Sequence, residues 1–302
     1  MMFARAVYVY TVAIVATVCC ACGSQSDGSS GDVTPSLPPS VTASSQAAPP
    51  VKVVLDPNPL KLPPVSLKLD GGKRVLAVPQ EVLANAALGS TFVLSAATVV
   101  GFDGDLLVLE GKSGSAYKLH PAYAIAIADD AKVRPSDPVV IEHQGNLRHG
   151  VIKKYVKDRL TVRLTDGDSR VVEVPMKTTR VMRQQDGLYA GNYAALGDAD
   201  GQKHVLLVSS FEDGGEKKWL ALGAGGAAMV VNARSLEAIP VKFQPRVGAS
   251  VLAAHNGVMR KATVTGASEQ GIVTVKYERA GRPATVGWGF FMPLANEKKP
   301  AK

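Results

Sequence analysis

Beyond Cys22 the chain contains no cysteine; all three stand together at Cys19, Cys20 and Cys22. Nothing downstream can be cross-linked by a disulfide, so that part has to fold on its apolar interior alone. Helical patterning is scarce too. After residue 87 no stretch sustains a helical apolar period over three turns, which excludes helical bundles and doubly wound sheets. Histidines number five, and only His149 lies near His143, a spacing that offers no metal set. A Gly-x-Ser-x-Gly elbow is missing, and no thiol beyond Cys22 is available as a nucleophile. No metal or other cofactor is expected, and no catalytic residue is assigned.

What the chain does contain is a stretch written twice. His143-Gln144-Gly145-Asn146-Leu147-Arg148 returns as His255-Asn256-Gly257-Val258-Met259-Arg260. An apolar run precedes each copy and an alternating run follows it: Leu160-Thr161-Val162-Arg163-Leu164 and Val273-Thr274-Val275-Lys276-Tyr277. The two regions align without a gap from Arg134/Arg246 through Ile152/Val264. An internal repeat constrains architecture far more than chemistry.

The first residues do not belong to that repeat. Arg5 and the free amine make a thin positive start, and 6–18 is almost unbroken apolar sequence, the form of a secretory signal and short for a membrane span. Cys19-Cys20-Ala21-Cys22-Gly23-Ser24 resembles the lipobox of bacterial lipoproteins, with Cys19 where that family usually has Leu. Cys22 is favoured over Cys20 as the modified residue, because Ala21 suits the small position before cleavage. The resemblance implies a diacylglyceryl thioether and an N-acyl chain on Cys22, hence a membrane partner through the anchor. With roughly 0.8 kcal/mol per buried methylene, two or more chains hold a protein stably. Gly23 differs from the Asp retention signal of some lipoproteins and leans toward the outer membrane of a Gram-negative cell. Residues 22–64, rich in Ser, Gly, Pro, Thr and Ala, read as a disordered tether spanning on the order of 35 Å as a coil.

Downstream, turn pairs such as Asp103-Gly104, Asp213-Gly214 and Asn256-Gly257 punctuate short alternating or β-branched runs. The fold class expected is all-β. A hairpin and a short helix opened by Pro79 are expected over 65–87, then four small barrels over 88–132, 133–183, 184–244 and 245–294, and a basic tail over 295–302. Charge alternates among them. The second carries eleven basic and six acidic residues and the fourth, from Arg246, six and two; the first and third are each net −2.

Gly145-x-x-Arg148 with Thr161-Val162-Arg163, and Gly257-x-x-Arg260 with Thr274-Val275-Lys276, are similar to the Tudor/SH3-like barrel family. The resemblance implies a binding module, often for peptides and sometimes through an aromatic cage. The turn that would carry cage aromatics holds His143-Gln144 and His255-Asn256, leaving Tyr277, Trp288 and Phe290 to contribute. The candidate ligand-binding residues are therefore Arg148, Arg260, Lys153, Lys154, Lys261, Trp288 and Tyr277, on an anion-facing surface. An exported, lipid-anchored protein rarely meets nucleic acid, so the partner expected is a protein or an anionic envelope component.

Alternatives stay open beside this one. Acidic and basic barrels could associate with each other, within a chain or between copies, giving a structural lipoprotein of undetermined oligomeric state. A hydrolase would need His120 or His204 beside an acid and a hydroxyl in one cleft. Gly223-Ala224-Gly225-Gly226-Ala227-Ala228 has the form of a dinucleotide fingerprint, but Met229-Val230-Val231 is poor helix and Glu237 comes too early, so a hairpin loop is expected there.

Overall fold

Alternation becomes strand where the sequence shows it. Along Arg159–Leu164 the side chains of Leu160, Val162 and Leu164 are buried, while Arg159, Thr161 and Arg163 face outward. The computed structural model describes residues 55–65, 71–84, 93–127, 132–165, 170–182, 187–199, 201–267, 271–278 and 282–294. All lie in the second of two units, Lys52–Lys302. The expected leader, Cys22, most of the tether and the basic tail fall outside the described residues. What is described is all-β, as expected, with antiparallel pairing throughout.

The strands fall into four sets in chain order. The first is β1 (Arg74–Ala77), the one-turn helix α1 (Gln80–Ala84), β2 (Ser95–Asp103), β3 (Leu106–Glu110), β4 (Ala116–Leu119) and β5 (Ala124–Ala126). The second is β6 (Pro138–His143), β7 (Asn146–Val156), β8 (Arg159–Leu164), β9 (Val171–Pro175) and β10 (Thr179–Val181). The third is β11 (Tyr193–Asp198), β12 (Gly201–Asp213), β13 (Glu216–Leu222), β14 (Ala228–Asn232) and β15 (Leu236–Ala238). The fourth is β16 (Ser250–His255), β17 (Val258–Ala267), β18 (Ile272–Tyr277), β19 (Ala284–Gly287) and β20 (Phe291–Pro293). Within each set consecutive strands pair as a meander over the first four. The short fifth strand then returns to the free edge of the first.

Every second strand also breaks register once against the third, between Val99 and Gly101, Ile152 and Lys154, Leu207 and Ser209, and Val264 and Gly266. Such a bulge bends the strand, so five short strands can curl round one apolar interior, an arrangement compatible with small barrel-like units.

One expectation is corrected here, and another falls largely outside the described residues. Most of the expected first arm of the hairpin, 66–69, is not described; β1 has both edges occupied, by β2 and by β5, and is the first strand of the first set. The tether also ends sooner than residue 64. Leu62 is buried in the first set's core, and Asn58 exchanges hydrogen bonds with Leu62 while accepting one from the Tyr123 hydroxyl. Proline-rich composition hid one apolar side chain whose burial orders the segment.

The sets share apolar surface. The interior of the first continues onto Val208, Phe211, Leu220 and Leu222 of the third, and Val151 of the second packs into the core of the fourth. Ile239, Met259 and Met292 fill the seam between third and fourth. Backbone pairing joins them as well, β2 to β7 through Ser95 and Asn146, and β12 to β17 through Gln202–Met259 and Lys203–Val258.

The repeated stretch makes these joints. Gln144-Gly145 and Asn256-Gly257 are hairpin turns with positive φ at both residues (55° and 80°; 50° and 77°), the geometry that matches strand twist in a two-residue loop. The Gly145 carbonyl accepts the Ala96 N–H at 3.1 Å, and the Gly257 carbonyl accepts the His204 N–H at 2.9 Å. A Cβ at Gly257 would lie 2.2 Å from the Cβ of Ala224, whereas one at Gly214, φ 62°, meets nothing. Gly214→Ala should therefore cost about 1–2 kcal/mol from backbone conformation alone, and Gly257→Ala distinctly more, read as the difference between two urea midpoints. Equal losses would show that the turn does not dock.

Candidate binding surface

The seven expected binding residues have different fates. Tyr277 and Trp288 are corrections: both are core residues of the fourth set, 4% and 3% exposed. The Tyr277 hydroxyl donates to the Ala254 carbonyl at 2.7 Å, and Trp288 Nε1 donates to the Phe243 carbonyl at 2.9 Å. Burial raises the pKa of Tyr277. Neither ring is open to a ligand. The parity of β18 carried the signal, since Val273, Val275 and Tyr277 all point inward.

Lys261 is exposed but paired with Glu278 at 2.9 Å, and that hydrogen bond holds its ammonium above the ordinary lysine range. Arg148 is half-buried and has a partner within the fold. Arg260 lies exposed on β17. The repeated arginines thus do not form one surface with a common environment.

Lys153 and Lys154 do reach solvent. They occupy the bulge of β7, and the strand continues through Tyr155 and Val156 into a turn at Lys157-Asp158, with Lys157 at φ 56°, before Arg159 opens β8. Lys153, Lys154, Lys157 and Arg159 are all exposed. Tyr155 and Val156 are 50% and 61% exposed. The nearby acids are Asp158 and Glu173, the latter 3.8 Å from Arg159. A turn lacking glycine gave no hint that this hairpin would project.

Clefts open at the seams. One of about 800 Å³ between the first and second sets is lined by Arg74, Glu142, His143, Glu173 and Lys177, and its Arg74 and Glu142 are ion-paired. A smaller one, about 440 Å³, lies where Leu94, Leu147, Leu222, the loop 223–226 and Gly257 meet over Tyr193, His204 and Phe290. Gly223 to Gly226 join β13 to β14 in an antiparallel hairpin, so the glycine cluster opens no α-helix and makes no dinucleotide turn.

His149 and His204 occupy equivalent places, three residues before the bulge of their strands. His149 is buried with Nε2 2.9 Å from the Gly191 carbonyl, and His204 has Nε2 2.8 Å from that of Gly289. Tyr193 lies between them, 4.5 Å from one ring centroid and 4.3 Å from the other. Desolvation pushes the pKa of His204 down to about 4, opposed by its bond to Gly289 and aided by His149. The neighbours shown for the two imidazoles are aromatic rings and backbone carbonyls. His120 caps the turn at 121–123, accepting from the Ala122 N–H at 3.3 Å, and the Tyr123 hydroxyl is engaged with Asn58 and Leu60. Among the described residues no group of three or more His, Cys, Asp or Glu could hold a metal ion, and no helix is long and apolar enough to cross a membrane.

The chain matches no family model and no curated protein sequence. Among solved structures, the crystal structure of Arabidopsis thaliana AGDP1 AGD34 is similar over 35% of this chain and 81% of that one, at 13% identity and a TM-score of 0.23. A likeness of that size carries no weight for function.

The buried imidazole has a measurable consequence. Its pKa is depressed on folding, so the unfolded chain binds the extra proton, and the contribution is complete above about pH 6.5 and lost as pH falls toward about 4. Up to about 3 kcal/mol is expected over that window. Urea midpoints measured across it should fall less steeply in His204→Gln than in the parent; parallel slopes would refute the assignment.

Proposed function

We propose that this chain is a lipid-anchored envelope protein whose tandem SH3/Tudor-like units form a non-enzymatic scaffold for binding an anionic partner. The observation that supports this reading best is the β7–β8 hairpin. Four exposed cations flank two exposed apolar side chains along the chain there, on a set with an excess of basic residues. Exposed like charges repel one another and hold counter-ions, so an anionic surface that takes their place is favoured, and more so at low salt. The anchor at Cys22 follows from the lipobox resemblance and would place the folded part at the envelope.

The buried rings and the paired Lys261 move the binding surface away from the repeated turns. The test is sedimentation of the full chain with isolated cell envelopes at low and high salt. Replacing Lys153, Lys154, Lys157 and Arg159 together by Gln should cut recovery at low salt at least tenfold, by analogy with roughly fivefold per cation near an anionic surface. Arg148→Ala with Arg260→Ala should change it little. Unchanged recovery of the fourfold variant overturns the proposal.

One observation favours the structural alternative. The corresponding β2–β3 hairpin of the first set exposes Phe102 beside Asp103 and Asp105, the opposite charge at the same place in the meander. If copies join through these two tips, the full chain held in detergent will sediment faster as concentration rises, and the fourfold variant will not.

A further inference from the structure

We infer that the β7–β8 hairpin is an interfacial device that seats on an anionic bilayer, with Tyr155 and Val156 entering the headgroup boundary and Lys153, Lys154, Lys157 and Arg159 forming a cationic collar around them. This rests on the anion-binding reading above and gives it a specific partner.

Charge alone would fit any acidic polymer. The apolar pair at the end of the hairpin separates the cases. Val156, 61% exposed, gains nothing from a soluble acidic chain, and Tyr155, 50% exposed, has the amphipathic ring favoured where apolar and wet regions meet. Both stand immediately before the Lys157-Asp158 turn, so they occupy the part of the hairpin farthest along the strand from β6. Val156 is directly opposite Arg159 and shares its face with Lys154, while Tyr155, opposite Leu160, lies on the other face with Lys153, so cations stand beside each apolar side chain. Asp158 and Glu173 subtract from the collar without cancelling it, two acids against four cations. Lysine and arginine stems can lie along apolar surface while their heads stay wet, so the collar accommodates a shallow insertion.

The first set supplies an internal contrast. Counting from the bulge, Phe102 stands where Tyr155 stands, and Phe102 is 52% exposed with Val100 at 49%. Its turn is flanked by Asp103 and Asp105, and Asp103 is ion-paired with Lys118. Two hairpins of one design therefore expose similar apolar area with opposite charge. An anionic surface attracts one and repels the other.

The experiment uses an introduced indole as a depth probe in the full chain. The native Trp219 and Trp288 are each 3% exposed and give a constant buried background. Tyr155→Trp and, separately, Phe102→Trp are mixed with vesicles of phosphatidylcholine alone or of equal parts phosphatidylcholine and phosphatidylglycerol, with and without brominated acyl chains. The Tyr155→Trp emission should shift to shorter wavelength and be quenched by bromine on anionic vesicles only, while the Phe102→Trp emission stays that of an indole in water. Replacing the four collar cations by Gln in the Tyr155→Trp chain should weaken its response by more than about a hundredfold in lipid concentration.

A Tyr155→Trp chain that binds vesicles while its new indole stays unquenched overturns the inference. So does a shift produced equally by polyglutamate, which would identify an acidic polymer, or by raised protein concentration without lipid, which would identify a second copy. Anchoring is read separately, from the mass of the N-terminal peptide of protein made in bacteria. An acylated chain whose hairpin indole remains in water removes the hairpin inference alone; an unacylated chain whose hairpin indole is quenched removes the anchor alone.

Discussion

The structure depends on two backbone hydrogen bonds made by glycine carbonyls at the tips of sibling turns. Gly145 and Gly257 each sit at positive φ, and each presents its carbonyl to the second strand of the preceding set. Without a side chain the turn can approach closely. At Gly257 the neighbour is Ala224, which leaves no room for a Cβ. From that contact follow the extension of pairing across β2–β7 and β12–β17 and the meeting of loop 223–226 with the fourth set. A turn that sequence reading treats as surface punctuation is here a joint. Side-chain packing then fixes what the joints align: Val151 enters the fourth set's core, and Phe211 enters the first's.

This arrangement also redistributes the charged residues. Several cations are committed within the fold, as with half-buried Arg148 and with the pairs Arg74–Glu142 and Lys242–Asp137, the latter 2.8 Å long and linking the second set to the segment after the third. Lys153 and Lys154, farther along β7, are exposed. Residue type alone does not report which cations are structural and which are available.

Much of the fold was legible because strands advertise themselves locally. Parity in Leu160-Thr161-Val162-Arg163-Leu164 and the turn pairs at Asp103-Gly104 and Asn256-Gly257 act over a few residues and need no tertiary context. The all-β class and the hairpin nature of the glycine cluster rest on such signals. What failed needed partners distant in sequence. β1 reads equally well as half of a local hairpin until β5 takes its second edge, and Leu62 reads as part of a tether until Tyr123 and the first core receive it. Tyr277 and Trp288 read as aromatics available for stacking, although the parity of Tyr277 with Val275 assigns it inward. The projection of Tyr155 escaped notice because Lys157 adopts positive φ without being glycine.

The position three residues before each bulge has a consequence of its own. It holds Ala96, His149, His204 and Lys261 in the four sets, although all four lie at the same place in their meanders. Similar meanders on one polypeptide can exchange strands during folding. Were the second and fourth sets to trade second strands, an ammonium would enter the closed niche against Gly191 and an imidazole would be stranded in water. That mismatch would disfavour the exchanged arrangement, so a difference at one site helps each strand keep its own set.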